Sequence, residues 1–218
     1  MIRKTSIHGS PFVGVYASCN NDLVVLPQSF DGEKVFADTL KVEVFKTMLG
    51  GSPLIGSLMV MNSKGAIITN FADEEDVEFL FPRMNVLFIE DKINAVGNDI
   101  LANDKAAMVH MDFDRETVKL IEEVLDVEVV KGTIGGIKTV GSAAVATNKG
   151  MIVHPNVDDH EIEFLKDLFG VPVYITTANY GSLYLGASLV ANDFGAVVGD
   201  RSSNVEIDRI ENALDIIE

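Results

Sequence analysis

The sequence predicts an α/β fold of five ββαβ repeats closed into a ring about a pseudo-fivefold axis. Three observations carry this. A stretch made of glycine, small or apolar residues, a polar four-residue turn and a second apolar run occurs five times. Its clearest copy runs from Gly141 to His154. The lead glycines Gly14, Gly56, Gly97, Gly141 and Gly186 recur every 41 to 45 residues, a period that marks a repeat architecture. The fifth unit leaves only Asp215-Ile216-Ile217 for its third strand, while a spare strand, Ile2 to Ile7, precedes the first unit.

Each repeat reads in the same order: a strand from the lead glycine, a tight turn, a returning strand, a helix and a third strand. The turns align without gaps as Asn20-Asn21-Asp22-Leu23, Asn62-Ser63-Lys64-Gly65, Asn103-Asp104-Lys105-Ala106, Thr147-Asn148-Lys149-Gly150 and Asn192-Asp193-Phe194-Gly195. Asn and Asp tolerate left-handed backbone and bond their own main chain, so hairpin turns are expected there. Val35, Phe36, Thr39 and Leu40 give the first helix its apolar stripe, and Val42 to Phe45 follow as a strand. In the second repeat Asp73-Glu74-Glu75-Asp76 starts a helix with Val77, Leu80 and Phe81 inward, ended by Pro82, before the strand Asn85 to Ile89. Asp114 caps a helix burying Val118, Ile121 and Leu125, and the strand Val127 to Val130 follows. Asp158 and Asp159 precede Ile162, Leu165 and Phe169, with a strand from Val171 to Ile175. The last helix carries Ile207, Ile210 and Leu214.

The spare N-terminal strand fits the vacancy in repeat five, and closure there would remove a naked sheet edge. The repeats then run 13–55, 56–96, 97–140, 141–185 and 186–218, with strand 1–7 completing the last, in one domain. Small residues at the strand starts suit strands that crowd toward an axis.

Composition narrows the function classes. Acidic residues outnumber Lys and Arg by 33 to 17, for a formal charge of -16, so phosphate backbones are repelled and general nucleic-acid binding is disfavoured. A basic protein, or a local patch beside RNA, stays open as a partner. The chain is 47% apolar, enough for a sizeable core, with no signal peptide and no bilayer-spanning run. A single cysteine, Cys19, excludes an internal disulfide and fits a cytoplasmic setting.

Five ββαβ units in this length resemble the pentein arrangement, an α/β propeller. Within it the chain resembles the translation initiation factor 6 family in its short archaeal form. The resemblance rests on Gly97-Asn98 with Asn103-Asp104, and on Val109-His110 followed by Asp114-Arg115-Glu116-Thr117. It continues through Val127-Glu128-Val129, Gly141-Ser142 with Asn148-Lys149-Gly150, and Val153-His154-Pro155. Thr177-Ala178-Asn179 and Gly195-Ala196-Val197-Val198-Gly199 complete it. It implies a monomeric, non-enzymatic factor without cofactor, metal, membrane or small-molecule substrate. Such a factor binds the large ribosomal subunit at its intersubunit face, blocks joining to the small subunit and accompanies large-subunit maturation. The implied contacts are a ribosomal protein of that face and the sarcin–ricin region of the large rRNA. No C-terminal extension follows the last helix, so regulation through such a tail is not implied.

The rival reading is an enzyme, because other pentein families modify guanidino groups with a Cys nucleophile, a His and acidic residues. Cys19 is the only thiol. Its counterparts in the other repeats are Met61, Ala102, Ala146 and Ala191, so it reads as a small core residue. His110 and His154 share one repeat position; duplication explains them as well as a metal pair does, and zinc spacing is lacking. The acidic helix starts read as solvated outer faces, since the spaced oxygen ligands of a calcium loop are missing. Asn98 is the sharpest binding candidate, because Val15, Ser57, Ser142 and Ala187 hold its place elsewhere. The strand-start end of the ring, with Asn98, Ser57, Ser142, Asn179 and Tyr180, is the expected ribosome-binding surface. At Ser57 the eukaryotic form carries a basic residue.

Overall fold

The computed structural model describes residues 1–216; Ile217, the end of the short third strand expected in repeat five, lies outside the described residues. Among the described residues, fifteen strands form five separate three-stranded sheets. Strand β1 (Ile2–Thr5) opens the chain. Repeat one holds β2 (Ser18–Cys19), β3 (Leu23–Pro27), helix α1 (Glu33–Leu40) and β4 (Glu43–Thr47). Repeat two holds β5 (Met59–Met61), β6 (Gly65–Ile68) and β7 (Asn85–Phe88). Repeat three holds β8 (Ile100–Ala102), β9 (Ala106–His110), α2 (Arg115–Leu125) and β10 (Glu128–Gly132). Repeat four holds β11 (Val145–Ala146), β12 (Met151–Val153), α3 (Asp159–Phe169) and β13 (Val173–Ile175). Repeat five holds β14 (Leu189–Ala191), β15 (Ala196–Gly199) and α4 (Asn204–Ala213).

In each sheet the first strand pairs antiparallel and the outer strand parallel to the middle one. The expected N-terminal strand takes the outer place in sheet five, where Ile2 pairs with Ala196 and Thr5 with Gly199 in parallel. It supplies a missing strand, yet it removes no edge. The sheets stay separate, and β1 becomes the outer edge of its own.

The middle strands explain why no repeat stands alone. In β3, Leu23 and Val25 face one hydrophobic cluster while Val24 and Leu26 face another. In β6, Ala66 and Ile68 face the first of these and Ile67 a third. Successive side chains of a strand point to opposite faces, so each middle strand serves two wedges of core and is mostly apolar. One wedge is completed by Val77 and Leu80 of repeat two, and the others by the apolar stripe of a helix: Phe36 and Leu40 from α1 meet Val190 and Val197 of repeat five. Leu165 and Phe169 from α3 meet Met108 of repeat three.

Repeat two departs from the expected helix. Only Glu74–Val77 turns, as a 3₁₀ segment, and bonds from Leu80 N–H to Val77 O and from Arg83 N–H to Leu80 O continue as tight turns. Pro82 has no N–H to donate and disfavours helical backbone at Phe81, so no α-helix propagates. Phe81 accordingly turns outward and is exposed, whereas Val77 and Leu80 are buried as expected. The caps at Asp114 and Asp158 form, accepting from Thr117 N–H at 2.7 Å and Glu161 N–H at 2.9 Å.

The lead glycines do not begin strands. Each sits in a single helical turn, Val13–Val15, Ile55–Leu58, Val96–Asp99, Val140–Ala143 or Leu185–Ser188, and the strand starts directly or a few residues later. The turn brings each glycine against the carbonyl of its neighbour. A methyl group at Gly14 would collide with Gly186 O, at Gly56 with Gly14 O, at Gly97 with Gly56 O, at Gly141 with Gly97 O, and at Gly186 with Gly141 O. The five contacts return to their starting point, so the ring is closed by backbone packing rather than by a barrel of strands.

Candidate functional site

The axis has two ends of different chemistry. At one end lie the hairpin turns. Asn62 Oδ1 accepts from Lys64 and Gly65 N–H, while its Nδ2 donates to Asn103 O at 3.2 Å and Leu125 O at 2.8 Å. Asn103 does the same toward Thr147 O and Phe169 O, and Asn192 toward Asn20 O and Leu40 O. One amide therefore folds its own turn, grips the next turn and satisfies the last carbonyl of the next helix. None of these turns uses left-handed backbone, contrary to expectation, because the side-chain bonds alone stabilise an ordinary turn. A second tier follows: Asn148 Nδ2 bridges Asp104 Oδ2 at 2.7 Å and Asp193 Oδ2 at 3.0 Å, and Asn21 Nδ2 meets Asp193 at 2.7 Å. These polar groups are spent on closing the ring.

Cys19 stands at the waist of the axis. With Met61, Ala102, Ala146 and Ala191 it borders a cavity of about 40 Å³ toward the turns and one of about 110 Å³ toward the glycines. It is thus an axis-lining residue at the margin of a core wedge rather than a residue inside one. Its Sγ lies 3.3 Å from Ala191 O, and burial, with the charge of Asp193, pushes the thiol up to about 12. A protonated thiol is a poor nucleophile. His110 and His154 do not converge on one site. His154 is fully buried as the Nε2–H tautomer, donating to Ile134 O at 3.0 Å and accepting from Asn156 N–H at Nδ1. His110 accepts from Asp112 N–H.

At the other end, the loops entering the lead glycines make tight reversals at Ile7–Ser10, Leu49–Ser52, Ile134–Ile137 and Ala178–Ser182. Each tip uses left-handed backbone, at His8-Gly9, Gly50-Gly51, Gly135-Gly136 and Asn179-Tyr180-Gly181. Carboxylates at the third position of the following helical segments brace three of them. Asp76 accepts from Gly50 N–H at 2.8 Å, Glu161 from Gly135 N–H at 2.7 Å, and Glu206 from Gly181 N–H at 2.9 Å. Asp76 is therefore a brace, not part of a purely solvated face as expected. The Ser203-x-x-Glu206 capping box was the signal in the sequence that could have revealed Glu206. Burial alone would raise the Glu206 carboxyl, but bonds from Ser203, Gly181 and Thr177 outweigh it and hold the group below its ordinary range.

The five expected site residues fall into three kinds. Ser57 and Ser142 are buried, and Ser142 Oγ donates within its own turn to Thr139 O at 2.8 Å. Asn179 bridges repeats, its Nδ2 donating to Pro11 O at 2.8 Å and its N–H to Ser202 Oγ at 3.0 Å. Asn98 and Tyr180 are the two with the least internal commitment. The Asn98 amide is half-buried with no hydrogen-bond partner among the described residues, and Tyr180 is 81% exposed on its braced tip. Phe12, Leu54 and Tyr184 add exposed apolar surface just before their lead glycines.

The profile of the eIF-6 family matches residues 2–213. The chain belongs to the eIF-6 family. Among relatives named translation initiation factor 6, the eIF-6 protein of Picrophilus torridus is 45% identical over 98% of this chain and the whole of that protein. That of Thermoplasma acidophilum is 46% identical with the same coverage, and that of Methanosarcina mazei 40% identical over both full lengths. The five separate sheets around one axis agree with the pentein-like arrangement of the eIF-6 family.

Proposed function

We propose that the protein is a non-enzymatic translation initiation factor that binds the large ribosomal subunit at its intersubunit face. There it sterically prevents joining to the small subunit, with a further role in large-subunit maturation, as a cytoplasmic monomer. The observation that carries the reading is the glycine end of the ring, where the Asn98 amide and the aromatic ring of Tyr180 stand among loops braced by Asp76, Glu161 and Glu206, in a chain of the eIF-6 family. A surface already ordered before contact loses little freedom on binding. The partners proposed are a ribosomal protein of that face and the neighbouring sarcin–ricin region. No helix is long and apolar enough to cross a membrane among the described residues.

The enzymatic alternative would need Cys19 as its thiolate, and the burial that pushes this thiol up to about 12 works against that. A steric blocker needs no reactive group; it needs a rigid body and one firm face. The test is Asn98→Ala. Losing a donor and an acceptor paired at a buried interface costs ~1–2 kcal/mol, which weakens large-subunit affinity about tenfold. Thermal melting should hardly change, because the Asn98 side chain makes no hydrogen bond among the described residues. Unchanged affinity, with weakened affinity on charge reversal at Lys64 or Lys149, would place the interface at the turn end.

A further inference from the structure

The five outer strands guard their open edges unequally. Each is paired on one side only, so β1, β4, β7, β10 and β13 all turn backbone groups outward. Open edges template association with another chain, and charged side chains discourage it. β1 carries Arg3 and Lys4, β4 carries Glu43 and Lys46, and β10 carries Glu128 and Lys131. β7 has no charge, but Val86, Leu87 and Phe88 are half-buried. β13 has neither protection. It reads Val-Tyr-Ile, with Tyr174 48% and Ile175 43% exposed, the only large apolar side chains exposed within a strand among the described residues. Its bonds to β12 fix which groups remain free. Met151 N–H donates to Pro172 O at 2.9 Å and Thr176 N–H to Val153 O at 3.0 Å. Alternate residues of a parallel ladder face the partner, so the N–H and C=O of Val173 and Ile175 point away from the sheet.

We propose that the outer edge of β13 accepts an extended, lysine- or arginine-bearing segment of a partner protein as a fourth strand. Val173 and Ile175 supply main-chain hydrogen bonds, and Tyr174 and Ile175 supply apolar contact on the two faces, which is how strand addition combines affinity with selectivity. Charge decides between occupants. Helix α3, in the same repeat, exposes Asp159, Glu163 and Asp167, while Lys166 is turned to Glu163 at 3.3 Å. A second copy of the chain would bring the same acids and a net charge of -16, so self-pairing is opposed and a basic segment is favoured. This inference does not rest on ribosome binding.

The test uses the full chain and three synthetic peptides: TKVKVKT, the acidic TEVEVET, and TKVPVKT, whose proline removes one ladder donor. The expected result is binding of TKVKVKT with slowed hydrogen exchange at the Val173 and Ile175 amides, and at least tenfold weaker binding of the other two. Tyr174→Lys and Ile175→Lys, each on an exposed position and checked by melting, should each weaken TKVKVKT at least tenfold. Equal binding of TKVPVKT, or protection elsewhere, would reduce the effect to adsorption on an acidic surface and overturn the proposal. A concentration-dependent dimer in sedimentation, protecting the same two amides without peptide, would overturn it in favour of a second copy.

Discussion

Asp99 is the residue whose burial has the clearest consequence in solution. It is 5% exposed in the helical turn beside Asn98, and burial raises its carboxyl to about 6, against a smaller lowering by His110. A folded-state value above the ordinary 3.8 means the proton is held more tightly in the folded chain, so the stabilisation is complete below pH 3.8 and is lost as pH rises through about 6. Asp99→Asn should therefore melt progressively higher relative to the parent from pH 4 to pH 7, and a constant difference over that range would remove the burial argument. Asp99 was not legible in the sequence, since Tyr16, Leu58, Ala143 and Ser188 hold its place in the other repeats and nothing local marks a buried carboxylate. Asn98 was legible by its departure from Val15, Ser57, Ser142 and Ala187. Which of those neighbours turn inward depends on the helical turn, which the apolar pattern alone read as strand.

At the scale of elements, the braces between helix starts and loop tips set the shape of the exposed end. Glu206 accepts from Ser203, Thr177, Tyr180 and Gly181, and it holds Tyr180 in left-handed backbone that a bulky side chain disfavours. Glu206→Ala leaves those donors without their partner and should cost about 1–3 kcal/mol, with faster proteolytic cleavage around Tyr180. An unaltered cleavage rate would show that the tip holds its shape without the brace. Helix caps and strand order were readable because Asp114, Asp158 and the alternating apolar runs are local signals. The braces join residues 25 or more positions apart, as Gly181 and Glu206 are, and spacing alone carries no sign of that. The missing helix of repeat two had its cause in view at Pro82, but the apolar stripe at Val77, Leu80 and Phe81 outweighed it.

The whole molecule is a ring whose closure depends on five backbone contacts and a circuit of amides. Gly97→Ala should destabilise by at least the 1–3 kcal/mol typical of overpacking, because the added methyl meets the Gly56 carbonyl and no side chain can move aside. Gly51→Ala, at a loop tip with open space around it, isolates the cost of left-handed backbone for comparison. Equal losses in the two variants would mean that axial packing adds nothing to the ring. The fivefold repeat was legible because turn residues and lead glycines recur at near-constant spacing. The two functions of each turn asparagine were not, because its second partner belongs to the next repeat.

A ring proposed to act by occupying one face of the large ribosomal subunit should recognise that subunit and not the small one. Co-sedimentation of the purified chain with separated large and small subunits, followed by addition of the second subunit, measures both steps. The chain should pellet with large subunits alone, and its prior binding should reduce the yield of joined ribosomes. Pelleting with small subunits, or undiminished joining with the chain bound, would rule out steric blocking at that face.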